Sequence, residues 1–185
     1  GGSPAARGEA AWALGNLAHF DTSAESQATI AQAGAIEPLV DLVRGGSART
    51  QENAAWLLVK LAHSDPNRQV AITQAGAIKP LVALMRNGSP AAREQAACAL
   101  VHLADNADNQ VAIVSAGAIK PLVALVHGGS PAARVKAAWT LGYLATNADS
   151  HVAIARAGAI VPLVALLRGG SPAARGEAAW ALGNL

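Results

Sequence analysis

Cysteine, methionine, tyrosine and phenylalanine each occur once in 185 residues, and aromatic residues make up 3% of the chain. The single cysteine, Cys98, excludes an internal disulfide, so an intracellular setting, cytoplasmic or nuclear, is the simplest expectation. With so few aromatics, the 52% of hydrophobic residues is mostly Ala, Leu, Val and Ile. That mixture suits closely packed helices and leaves little of the strand-favouring class. Charge of one sign is also missing. Fourteen Lys and Arg stand against twelve Asp and Glu, a formal net charge of +2, so no clustered basic excess marks a nucleic-acid partner. Long apolar runs are absent too: the most apolar stretch, 157–167, is interrupted by Pro162 and is too short to span a bilayer. The first residues lack a charged region followed by an apolar one, so a soluble chain without membrane or targeting segments is expected.

Repetition is what the sequence has in abundance. Residues 1–17 recur letter for letter as residues 169–185. Between them, shorter anchors recur with a period of about 42 residues, the mark of a solenoid that stacks one supersecondary unit. An Ala-Gly-Ala-Ile motif places glycine at Gly34, Gly76, Gly117 and Gly158, and a proline follows each isoleucine at Pro38, Pro80, Pro121 and Pro162. Gly-Ser steps end at Ser3, Ser47, Ser89, Ser130 and Ser171, and an Ala-Ala pair precedes Trp12, Trp56, Cys98, Trp139 and Trp180.

These anchors cut each period into three helices. A short first helix, such as 108–116 with Asp108 or Asp149 as N-cap, stops at the glycine in a left-handed conformation. A second helix follows, on which Ile36, Leu39, Val40, Leu42 and Val43 share one face, with the proline in its first turn. Then Ser caps a third helix of about four turns, with Pro at its first position in four of five copies. On it, Leu14 and Leu17 fall opposite Trp12, as do Leu58 and Leu61, Leu100 and Leu103, Leu141 and Leu144, and Leu182 and Leu185 in their repeats. The leucines are therefore expected in the core, and the tryptophan column on the other face.

Three helices per period, with AGAI-x-PLV opening the second and AAW-A-L-x-N-L on the third, closely resemble the armadillo repeat along the whole chain. The resemblance implies an all-α fold, a right-handed superhelical α-solenoid of three-helix repeats. The expected organisation is one domain over 1–185, an orphan third helix over 1–20 and repeats over 21–62, 63–104, 105–145 and 146–185. It also implies a protein–protein interaction scaffold that binds an extended peptide in a concave groove lined by third helices, without catalysis, metal or cofactor. In peptide-binding members a Trp-x-x-x-Asn pair does this work. An amide offers donor and acceptor to a peptide group, and an indole face attracts aliphatic stems and cations.

The intact pair occurs here as Trp12 with Asn16 and as Trp180 with Asn184. In the middle, Trp56 is followed by Lys60, Cys98 by His102, and Trp139 by Tyr143, a set of differing side chains that favours one particular ligand. The same face carries Glu52, Asn53, Glu94, Gln95 and Lys136, and the three histidines His19, His63 and His102. Glu9, Glu52, Glu94, Asp105 and Glu177 outnumber Lys60 and Lys136 on it, so a ligand with some basic residues is expected. Solvated surface charges, and indoles that only plug the seam between helices, are the plainer alternatives. At about 8 to 10 Å per repeat and 3.3 Å per extended residue, four repeats would grip on the order of ten residues.

Two further patterns bear on chemistry. Cys98, His102 and Asp105 fall at i, i+4 and i+7 on one helix face, the order of a nucleophile, base and orienter. No oxyanion donor is identifiable nearby and Cys98 fills a slot that Trp holds elsewhere, so substitution at a variable position explains it better. Arg7, Arg93, Arg134 and Arg175 recur near the start of the third helix, spread one per repeat, and read as helix-corner residues and not as a phosphate site. Finally, neither end carries a polar capping repeat. A function of a different class is therefore a structural unit that self-assembles as a homo-oligomer through uncapped ends, the apolar face of residues 10–17 seeking cover.

Overall fold

The structure is a computed structural model, and it describes residues 6, 8–10, 12, 13, 24–63 and 65–185. Residues 8–10, 12 and 13 are helical. Four sets of three helices follow. The first comprises α1 (Ala24–Gln32), α2 (Ile36–Gly45) and α3 (Ala48–Ala62), and the second α4 (Pro66–Gln74), α5 (Ile78–Asn87) and α6 (Pro90–Leu103). The third comprises α7 (Ala107–Ser115), α8 (Ile119–Gly128) and α9 (Pro131–Leu144), and the fourth α10 (Ala148–Arg156), α11 (Ile160–Gly169) and α12 (Pro172–Gly183).

Local chemistry sets the boundaries. Gly34, Gly76, Gly117 and Gly158 hold φ between 76° and 79°, the left-handed stop expected after each first helix. The chain then turns sharply, by 86° between α7 and α8 and by 84° between α10 and α11. Ser47, Ser89, Ser130 and Ser171 cap the third helices, each side chain accepting from an amide three residues on. Pro90, Pro131 and Pro172 open those helices, where no intrahelical partner is lost.

The caps of the first helices differ from the sequence expectation. Asn106 accepts from the amides of Asp108 and Asn109, and Asn147 from that of Asp149, so Asp108 and Asp149 lie inside the first turn. The amide oxygen, two residues earlier, reaches the orphan N–H groups, and the carboxylates remain where the positive end of the helix dipole favours them.

Each third helix packs on the second helix of its own set and on the third helix of the next, so α3, α6, α9 and α12 form a continuous stack. The core consists of three columns, one from each helix type. Leu58, Leu61, Leu100, Leu103, Leu141 and Leu144 are wholly buried, as expected for the face opposite the tryptophans. Leu182 and Leu185 at the end of the last third helix, expected there too, are only partly buried because no further repeat in the chain covers them. Leu39, Leu81, Leu122 and Leu163 come from the second helices, and Ile72, Ile113 and Ile154 from the first, all at most 1% exposed. Burying each such side chain is worth about 1.5–3 kcal/mol, so the stack is held by repetition of one modest contact.

First-helix side chains also secure the far end of each preceding third helix. Gln69 donates to the Ala62 carbonyl, Asn109 to Leu103 and Gln110 to Ala104, at 3.0–3.1 Å, and His151 Nε2 donates to Ala145 at 2.8 Å. These bonds occupy carbonyls that a helix C-terminus leaves without partners. They thereby hold the turn that carries Lys60, His102 and Tyr143.

Candidate functional site: a face of stacked third helices

The helical phase that buries the leucines turns one ladder of side chains outward. Trp56, Cys98 and Trp139 are half-buried, while Trp12 is 45% and Trp180 37% exposed. Glu52, Asn53, Lys60, Glu94, Gln95, His102, Lys136, Tyr143, Glu177 and Asn184 are partly exposed beside them, and Asp105 and His63 are exposed. Asn16 and His19, expected on the same face, lie outside the described residues, as do Leu14 and Leu17.

Contacts along the ladder join successive repeats. The rings of His63 and His102 meet edge to face at 5.1 Å. Within α9, Trp139 and Tyr143 are nearly parallel at 6.3 Å, and Tyr143 meets Trp180 of the next repeat edge to face at 5.1 Å. Trp180 rests on Gly142, whose position admits no side chain without striking indole atoms Cε3 and Cζ3. At this step the tryptophan is both a seam contact and an exposed surface. Asn184 donates through Nδ2 to the Gly142 carbonyl at 3.3 Å, so a ligand backbone would compete for that amide. Ser130 Oγ donates to Glu94 Oε2 at 2.7 Å, which ties that carboxylate to the N-cap of α9.

Two contacts that spacing alone did not disclose involve the lysines. Lys60 Nζ lies 5.4 Å from the Trp56 ring centroid and Lys136 Nζ 5.1 Å from that of Trp139, both within cation–π range. Lys60 follows Trp56 by four positions and Lys136 precedes Trp139 by three, the separations at which helical side chains meet.

Electrostatics argue against a nucleophile at Cys98. Burial pushes its thiol up, with Glu94 opposing the help of Lys136 and Lys60. His102 is pushed down to about 4, first by burial and then by His63 and Lys136, against the pull of Asp105. A neutral thiol beside a weakly basic imidazole is not an activated pair. The Tyr143 phenol is raised by burial and by the Asp105 carboxylate it approaches, and burial raises Glu177. Among the described residues no group of three or more His, Cys, Asp or Glu is placed to hold a metal ion.

A cavity of about 410 Å³ lies between α5, α6 and α8, lined by residues including Met85, Arg86, Arg93, Lys120 and Pro121. Smaller counterparts occur at the neighbouring junctions around Pro80 and Pro162. They are notches left by stacking one unit. The arginines near the third-helix starts serve the backbone there: Arg93 Nε donates to the Gly88 carbonyl and Arg134 Nη2 to that of His127. Arg7 is outside the described residues.

A family model described as the armadillo/beta-catenin-like repeat matches residues 23–63, 64–105, 106–146 and 151–185. The chain belongs to the armadillo repeat family. As an armadillo protein it is a right-handed superhelical solenoid and a scaffold. Among solved structures it is similar to an engineered protein at 31% identity and a TM-score of 0.89, covering 100% of this chain and 45% of that one. A designed armadillo repeat protein in complex with peptide (KR)4 is 30% identical, with a TM-score of 0.84, covering 95% of this chain and 74% of that one. Computationally designed armadillo repeat proteins for modular peptide recognition are 28% identical with a TM-score of 0.87, covering 95% and 74%. Among curated proteins, no sequence matches. None of the helices among the described residues is long and apolar enough to cross a membrane by itself.

Proposed function

We propose that the chain binds an extended peptide segment of another protein along the groove face of its third helices. The observation that carries this reading is the ladder itself. Part-exposed indoles at Trp56, Trp139 and Trp180 recur at one phase of a continuous helical stack, interleaved with amides and charges. Indoles supply contact area at little entropic cost, and amides such as Asn53 and Gln95 can serve both groups of a ligand's peptide bonds. The carboxylates of Glu52 and Glu177 attract basic residues towards the ends of the segment. A designed armadillo neighbour in complex with peptide (KR)4 supports a basic component in the ligand.

The test uses a peptide of about ten residues selected from a random library, the length four repeats span. W56A/W139A is expected to weaken its binding by roughly thirtyfold or more, the scale of interface tryptophans, with helical circular dichroism retained. Unchanged affinity in a folded double variant removes the groove as the binding surface.

A further inference from the structure

The middle of the groove carries its own cations. Lys60 and Lys136 lie over the indoles of Trp56 and Trp139, the faces that a basic ligand residue would otherwise take. Between those tryptophans the column holds Cys98, far smaller than an indole and partly exposed. The imidazoles of His63 and His102 meet beside it. Lys60 and Lys136 both act on Cys98, and Lys136 and His63 both act on His102. Glu94 and Asp105 act in the opposite sense at these two points, each more weakly than Lys136. The acidic surplus of the face as a whole is therefore offset at its centre, where Lys60 and Lys136 stand against Glu94 and Asp105.

We propose that the gap at Cys98 accepts the carboxylate of an acidic residue of the bound peptide, held by Lys60, Lys136 and the His63–His102 pair. The proposal rests on the peptide-binding reading and refines it: the ligand is basic towards its ends and acidic at its middle. A carboxylate gains charge-assisted hydrogen bonds from the ammonium groups. A ligand lysine or arginine in the same place meets two like charges and must displace one from its indole, so the arrangement also discriminates against a uniformly basic strand. The charged or titratable groups that face His102 are His63, Lys136 and Asp105. Adding a carboxylate to that set favours its protonation.

A library of random peptides of about ten residues, displayed on phage, is selected against the full chain and against K60Q/K136Q at neutral pH. Peptides selected on the native chain are expected to share one Asp or Glu flanked by basic residues, and selection on K60Q/K136Q is expected to lose it. Replacing that residue by its amide should weaken binding to the native chain about tenfold and to K60Q/K136Q little. The His102 ring, followed by NMR, should titrate higher with the acidic peptide bound than in the free protein. Peptides that lose affinity for W56A/W139A yet carry only basic or neutral residues overturn the acidic subsite and leave the groove standing. Peptides indifferent to W56A/W139A, or a selection that yields none, overturn both.

Discussion

His102 stands between a second imidazole and an ammonium group, half out of water, and it resists a proton until about pH 4. In the unfolded chain an ordinary histidine takes that proton near 6.5. Below 6.5 the unfolded state is therefore the better proton acceptor, so this contribution to stability is complete above pH 6.5 and is lost as pH falls towards 4. Denaturant unfolding followed across this window should show stability decreasing with acidification, with a smaller slope in H102N. An identical slope in the variant would show that His102 does not hold its proton off in the fold. The sequence places Cys98, His102 and Asp105 on one helix face, but α6 ends at Leu103, so only the first two are on the helix and Asp105 lies in the turn beyond it, where it still acts on His102. Their electrostatic sense was not legible, because it depends on burial and on His63 and Lys136, which belong to neighbouring repeats.

At the scale of the helix, what was legible is what is local. A glycine at positive φ, a serine accepting from the third amide on and a proline in the first turn each act within a few residues, and all recur where the motifs placed them. The first-helix caps fell to Asn106 and Asn147 because a capping side chain two residues upstream starts each helix earlier, a choice between near neighbours that periodicity cannot make. The packing of one third helix on the next was less visible. Gly142 reads in sequence as a poor helix residue. In the stack it is the bed for Trp180 from the following repeat, with Tyr143 at the ring's edge. Gly142→Ala should therefore cost about 1–3 kcal/mol, the usual penalty for overpacking, despite the better helix propensity of alanine. Thermal unfolding and the tryptophan emission spectrum report it together. A variant as stable as the parent, with unshifted emission, would mean that the indole does not rest there.

For the whole molecule, the order of helices and the face each one buries followed from a repeat whose phase could be read four times over. Leu58, Leu100 and Leu141 went to the core and the column two positions earlier went outward, as a 3.6-residue period requires. The candidate site was legible as a list of residues and not as a field. Counting charges along the face gave an acidic stripe, whereas the lysines lean over their indoles and bring two ammonium groups to its centre. The central claim is that one face of the third-helix stack is where a peptide binds. Amide chemical-shift mapping of the isotope-labelled chain, titrated with a library-selected peptide, tests it most directly. The largest shifts are expected on the outward positions of α3, α6, α9 and α12, at Trp56, His102, Tyr143 and Trp180 among them, together with the indole N–H signals. Shifts concentrated instead around the second-helix notches at Pro80, Pro121 and Pro162, with the indoles unmoved, would contradict it.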